Sequence, residues 1–329
     1  MLRGYSYAMK FLPLGDREVS VIGLGCQQFG SPEWRWGPDQ GEAAANQVVN
    51  RALDLGVNFF DTAEIYGNGR SEEILGSALR GRREEAFVAT KVSPVHGTRR
   101  GVADACERSL RRLGMAAVDL YQVHWPNRLM PLSWTMSGMR DLMHAGKARN
   151  IGVSNFSLRL WRRAERELGG RLASNQVQLS LLDRSPLGDV SEFAAQERRV
   201  VIAYSPLAQG LLAGRYDRQN RPIDFRAGKS QFSEESLARL HPLLGELRDL
   251  ARSKGATPAQ LALAWVLHIT NVIAIPGART LQQIEENAAA ADMQLTGDEW
   301  ERLRELAEAD APPVQPSPLK RIVDRVMGW

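Results

Sequence analysis

The chain has 329 residues, of which 43% are apolar and 24% charged, a balance that fills a core and excludes disorder over most of the length. No apolar run approaches the roughly 20 residues needed to cross a bilayer, so no membrane span is expected. A net charge of +4 without a clustered patch gives no nucleic-acid surface, and the two cysteines, Cys26 and Cys106, make neither a disulfide scaffold nor a Cys-rich metal site.

Residues 1–8 read as an N-terminal extension. The opening MLRGYSYAMK lacks the apolar core and cleavage site of a signal peptide, which points to a cytoplasmic protein. Eight β-branched or apolar runs follow, at 19–24, 57–60, 87–91, 118–123, 148–153, 173–179, 200–204 and 272–275. Most are apolar on both faces, as strands of a covered parallel sheet are. After the second run, Ser71 is placed to N-cap a helix with Glu72 and Glu73 in its first turn and Ile74, Leu75, Ala78 and Leu79 facing inward. After the third, Val102, Cys106, Leu110 and Leu113 form one helical stripe. After the seventh comes a long polar segment, 205–233, rich in Gly, Arg and Pro; such length is usually kept for function. Thr257-Pro258 reads as an N-cap followed by Pro at the first helical position. Thr280…Gln283 and Thr296…Glu299 have capping-box spacing, the second opening a last helix over about 298–309. Residues 311–329 read as a tail. Eight strand–helix units in about 300 residues favour a closed α/β barrel, (β/α)8, formed by residues 9–310 as one domain.

Polar residues stand at the carboxyl end of consecutive runs: FFDTAEIYG, ATKVS, YQVHWPN, GVSNF, NQVQ, YSPL and IPGAR. In a (β/α)8 barrel that face carries the active site. Asp61, Lys91 and His124 close the second, third and fourth strands. Neighbouring strands lie about 4.8 Å apart, so Asp61 and Lys91 can touch. Only six of the 42 basic residues are Lys, and one inside an apolar strand calls for a reason. Tyr66, five residues past Asp61, can fold over the pair. A nearby lysine cation lowers a phenol pKa from its ordinary value near 10. Asp61 would orient the buried ammonium, and His124 would polarise a carbonyl or share its proton. A barrel hydrolase needs two opposed carboxylates; Asp61 has only Glu64 nearby and is better explained as the partner of Lys91. His96, His144, His241 and His268 have no ligand spacing, so no metal is expected. The Arg-rich stretches 80–83 and 159–166 read as solvated helix faces.

These motifs, in this order, resemble the aldo-keto reductase superfamily along essentially the whole chain, from GLGC at 23–26 to IEEN at 284–287. The resemblance implies a TIM barrel with an N-terminal β-hairpin, a long loop after strand seven and a C-terminal extra helix. It implies reduction of an aldehyde or ketone, a small-molecule carbonyl substrate, by hydride transfer from NADPH bound in an extended pose. Tyr66 would be the general acid, supported by Asp61, Lys91 and His124. Ser154, Asn155 and Gln176 would hold the carboxamide, with Asp61 beside them and Tyr204 stacked on the nicotinamide. Ser205, Pro206, Leu207, Gln209, Gly210 and Arg215 would meet the pyrophosphate, and Arg226 is either a further phosphate ligand or a loop charge. Gly277, Arg279, Gln283, Glu286 and Asn287 would hold the adenosine end, Arg279 forking onto a 2′-phosphate beside a helix N-terminus near Thr280. Gly25, Cys26 and Gln27 stand where many relatives have Gly-Thr-Trp, and would contact the cofactor. Trp34, Trp36 and Trp125 would wall a substrate pocket with Tyr66 and His124. Potassium-channel β-subunits share much of this pattern, so a cofactor-bound regulatory or scaffold subunit is the alternative.

Overall fold

In the computed structural model, residues 8–32 and 41–310 are described; Trp34, Trp36 and the tail 311–329 lie outside them. Strands β1 (Phe11–Leu14) and β2 (Arg17–Ser20) form an antiparallel hairpin, with Gly15 supplying the positive φ of the turn. The barrel strands follow: β3 (Leu24–Gly25), β4 (Phe59–Asp61), β5 (Phe87–Val92), β6 (Val118–Val123), β7 (Ala148–Ser154), β8 (Ser174–Gln178), β9 (Val200–Tyr204) and β10 (Val272–Ile275). Each pairs parallel with its neighbours in chain order. Bridges from Ile22 to Ala274 and from Gly25 to Gly277 close the seam between first and last strands. A Cβ on Gly25 would meet the Ile275 carbonyl oxygen at 2.8 Å, so the seam needs glycine there. The apolar run 19–24 is therefore divided between two sheets. Val19 and Ser20 end the hairpin, and only Leu24–Gly25 joins the barrel as a strand. A continuous apolar run does not show where a strand changes partners.

The helices are α1 (Glu42–Asp54), α2 (Arg70–Ala78), α3 (Arg99–Leu113), α4 (Leu132–His144), α5 (Leu158–Leu168), α6 (Asp189–Gln196), α7 (Glu234–Arg239), α8 (His241–Ser253), α9 (Pro258–Leu267), α10 (Leu281–Ala289) and α11 (Gly297–Asp310). The stripe on α3 buries Val102, Ala105, Cys106, Leu110 and Leu113. Thr257 and Gln260 form a full capping box at α9, and Thr296 and Glu299 exchange the same two bonds at α11. The Ser71 cap is corrected: α2 starts at Arg70 behind Gly69, and Ser71 lies inside it. Its hydroxyl donates to the Cys26 carbonyl at 2.7 Å and lies 2.8 Å from Thr62 Oγ1, tying α2 to the ends of β3 and β4. At α10, Thr280 caps Gln283 N, but the Gln283 side chain accepts from Arg279 N, one residue before the box position. The extra helix α11 is pinned to α9 by Trp300 stacked on Trp265, 5.1 Å between rings, each indole donating to the other's carbonyl at 3.1 Å.

Two apolar cores result, one between strands and helices and one inside the barrel. Leu14 and Val19 of the hairpin join the inner core with Phe59, Phe87, Leu120, Ile202 and Ile273, so β1 and β2 stopper the barrel at its amino-terminal end. Asp119, fully buried near the start of β6, gathers that end together. Its Oδ2 accepts from Arg83 at 2.7 Å and Val88 N at 2.8 Å; its Oδ1 lies 3.3 Å from Arg17 and 3.5 Å from Arg149. At the opposite end, the segment 205–233 is not structureless. It contains 3₁₀ turns at Ala208–Gly210, Phe225–Gly228 and Ser230–Phe232, and Phe232 is buried edge-on against Tyr216.

Candidate active site

Asp61 ends β4, Lys91 is next to last in β5 and His124 follows β6, so three adjacent strands deliver three side chains to one level. Positive φ at Gly67, Asn68 and Gly69 then turns the chain sharply from Tyr66 into α2, setting the phenol above the pair. The Lys91 side chain is fully buried. Its ammonium donates to Asp61 Oδ1 at 2.5 Å, to the Thr62 carbonyl at 2.9 Å and to Tyr66 Oη at 3.2 Å. The phenol oxygen accepts from lysine, so its own proton is left to give. The other Asp61 oxygen, Oδ2, accepts from Gln176 Nε2 at 2.8 Å and Gln122 Nε2 at 3.2 Å. The Tyr66 and His124 rings meet edge to face, 5.6 Å apart.

Burial opposes the Lys91 charge, yet Asp61 and Tyr66 hold its pKa above the ordinary lysine value. Burial pushes the Tyr66 phenol up; Lys91 pulls it back, and burial wins. The expectation of a net lowered tyrosine is corrected: lysine moderates a rise that burial causes. Burial, and then Lys91, push His124 well below the ordinary histidine range, so the ring is neutral at neutral pH. Its Nδ1 is buried without a hydrogen-bond partner.

Above these groups opens a cavity of about 1250 Å³. Gly25, Gln27, Asp61, Tyr66, His124 and Trp125 line it. Ser154, Asn155, Gln176 and Tyr204 line it too. Asn155, at φ 63°, donates to the His124 carbonyl at 3.1 Å and to Ser154 Oγ at 2.9 Å, and accepts from Tyr204 Oη at 3.0 Å. Ser205, Pro206, Leu207, Gln209, Gly210, Arg215 and Arg226 follow along the wall. Gly277, Arg279, Gln283, Glu286 and Asn287 line it around the start of α10.

Arg226 stands where either reading given to it would put it. It lines the cavity, and it is held by Asp224 at 2.6 Å while donating to the Gln209 carbonyl at 3.0 Å. Lys91 reaches the cavity only through Tyr66 and Asp61, as part of its floor. Cys26 stands apart. Its thiol is fully buried, 3.5 Å from the Leu24 carbonyl and off the cavity wall, and burial pushes its pKa well up. The contact expected there is not made by its side chain. Trp34 and Trp36 lie outside the described residues. The cavity also takes in groups the sequence did not single out: Gln28, Pro94, Val95, Tyr216 and Lys229, whose ammonium donates to Gln209 Oε1 at 2.7 Å. Gln122 was legible only as the residue two before His124, sharing its face of the strand.

Among the described residues no group of three His, Cys, Asp or Glu is arranged to hold a metal, and no helix is long and apolar enough to cross a membrane.

A family model described as the Aldo/keto reductase family matches residues 21–308. An uncharacterized oxidoreductase of Mycobacterium tuberculosis is 48% identical over 305 residues, covering 92% of this chain and 94% of its own. Among solved structures, the glycerol dehydrogenase of Gluconobacter oxydans superposes with a TM-score of 0.83 at 31% identity, over 93% of this chain and 98% of that one. An aldo-keto reductase from Klebsiella pneumoniae in complex with NADPH gives 0.76 at 31% identity, over 94% and 100%.

Proposed function

We propose, for a chain that belongs to the aldo/keto reductase family, that it is an NADPH-dependent reductase of aldehydes or ketones with Tyr66 as its general acid. The observation that carries this reading is the Tyr66 hydroxyl 3.2 Å from an ammonium that Asp61 holds at 2.5 Å, on the wall of a cavity of about 1250 Å³.

The residues present fit a nicotinamide dinucleotide. The cavity of about 1250 Å³ is lined by the amides and hydroxyls of Ser154, Asn155, Gln176 and Tyr204 and by the cations Arg215, Arg226, Lys229 and Arg279. Ser154, Asn155 and Gln176 would hold the carboxamide, Tyr204 would stack on its ring and Gln209 would cover the phosphates. Arg279, at the N-terminus of α10, would take a 2′-phosphate. When bound, NADPH supplies the hydride.

The chain's own part is the proton. Charge that develops on the carbonyl oxygen is met by the Tyr66 O–H and by the neutral His124 ring, which lines the cavity 5.6 Å from the phenol ring. As Tyr66 gives its proton, the phenolate remains hydrogen-bonded to Lys91, and Asp61 keeps that lysine charged.

The test is Tyr66→Phe, which removes only the hydroxyl. The kcat for carbonyl reduction is expected to fall about 10²–10⁴-fold. NADPH affinity should change less than about threefold, under ~0.7 kcal/mol. Because burial lifts the phenol pKa, wild-type reduction should stay level across neutrality and decline only as pH climbs above about 10. Near-normal turnover of Tyr66→Phe on a good substrate would mean that the proton comes from another donor.

A further inference from the structure

Gln122 lies inside the barrel with no exposed surface, between the apolar plug below and the catalytic floor above. A buried primary amide is costly unless its hydrogen bonds are made, so its place among apolar strands needs a reason. Its register partners are Lys91 on β5 and Gly152 on β7. A Cβ on Gly152 would come within 3.3 Å of Gln122 Cγ and 2.5 Å of Ser174 Oγ, so the neighbouring strand leaves room for the Gln122 side chain. From there the amide reaches two strands across to Asp61 Oδ2 at 3.2 Å, and its Oε1 lies 3.5 Å from Gln176 Nε2, which also donates to Asp61.

We propose that Gln122 is a positioning residue for proton transfer: by occupying Asp61 Oδ2 it fixes the carboxylate so that only Oδ1 engages Lys91, whose ammonium then stays aimed at Tyr66. The inference rests on the reductase reading above for its kinetic consequence, but not for its geometry. Each carboxylate oxygen has a separate duty. Oδ1 holds the lysine; Oδ2 is filled by two neutral amides that cannot compete for the charge. With Oδ2 emptied of Gln122, the carboxylate is free to turn both oxygens to Lys91 and draw Nζ away from the phenol. Gln122 also helps keep the Gln176 nitrogen on Asp61, which leaves Gln176 Oε1 as the acceptor of that amide. The titratable groups around Gln122 are Asp61 from β4 and Lys91 from β5, with Tyr66, His124 and the Cys26 thiol beyond them. From β7 and β8 come Gly152, Ser174 and Gln176, none of which titrates.

Two variants test this, the first with a cofactor-free readout beside its kinetics. Gln122→Leu keeps the volume and removes both polar atoms. Its kcat for carbonyl reduction should fall about ten- to a hundredfold, the range for losing a hydrogen bond to a charged group. The NADPH dissociation constant should move less than about threefold. In the cofactor-free protein the Tyr66 phenolate, read as the absorbance difference against the matching Tyr66→Phe protein, should form at higher pH than in the wild type. Gln122→Glu is the discriminating variant. While protonated, the new carboxyl donates the same bond to Asp61, so activity should approach the wild type in acid. As the carboxyl ionises, it sets a second negative charge against Asp61, and activity should fall with rising pH where the wild type stays level. A side chain that only filled space would give no such limb. Wild-type kcat and an unmoved phenolate titration in Gln122→Leu would overturn the proposal, as would a Gln122→Glu profile parallel to the wild type. Should Gln122→Leu not fold, the Gln122→Glu profile decides. If the wild-type protein reduces no carbonyl on a broad panel, the reductase reading fails and the phenolate titration alone decides for or against Gln122.

Discussion

Lys91 keeps its charge with none of its side chain in solvent because oxygens of three different residues divide its ammonium. A buried cation with one partner removed costs several kcal/mol, so the Asp61–Lys91 pair stands or falls as a unit. Arg279 poses a simpler question, since its expected role is to read one phosphate. Arg279→Ala should weaken NADPH by about 1.5–3 kcal/mol, about ten- to a hundredfold, and leave NADH nearly unchanged. Titrating both cofactors by fluorescence checks this, and an equal loss for the two would remove Arg279 from the 2′-phosphate. Much of the site was legible in the sequence because its residues end strands, and a barrel brings strand ends together. Three features were not. Cys26 sits between two cavity residues, Gly25 and Gln27, and nothing in GLGCQQ shows that the thiol turns inward. Gln122 lies in a strand buried on both faces, where alternation cannot separate a floor amide from a core filler. The sign of the Tyr66 shift depends on how deeply the phenol is buried, which no motif encodes.

At the scale of elements, the segment 205–233 departs most from a minimal barrel. Ser205, Ala208 and Gln209 all take positive φ, which ordinary side chains adopt at some cost. Lys229 and Arg226 hold Gln209 from the far part of the same loop, so its two limbs are tied across the cavity wall. The loop is therefore expected to close over bound cofactor and to be more mobile without it. Amide hydrogen exchange in 205–233 should slow on saturation with NADPH; exchange that is the same with and without cofactor would sink this. The caps show where sequence signals hold. Thr257 and Thr296 were readable because a capping box is entirely local. Ser71 misled because the turn before α2 is set by Gly67, Asn68 and Gly69, and the serine is used instead to join α2 to two strand ends.

Across the whole molecule, the two ends of the barrel carry different burdens. Asp119 draws Arg17 of the hairpin, Arg83 before β5 and Arg149 on β7 to one carboxylate at the end opposite the cavity. Asp119→Ala leaves three arginines without that partner. All three keep some solvent access, which lowers the cost to about 2–4 kcal/mol. Urea unfolding should give a free energy of unfolding lower by that amount, read as a lower midpoint at unchanged slope. The kcat and NADPH KM should stay within about twofold, since conserved chemistry and stability occupy opposite faces of such barrels. A kinetic defect as large as the stability loss would contradict this division. The closed seam bears on the order of assembly. Ile22 and Ala274 bridge across about 250 residues, so the largest loop in the fold closes through only two bridges. During synthesis the first strand leaves the ribosome long before its partner exists, and the open edges of the partial sheet wait unpaired. The hairpin, made entirely from local contacts, can form at once and hold Leu14 and Val19 ready for the inner core. The chain can thus make its stopper before it makes the vessel, and the vessel is sealed only when the last strand arrives.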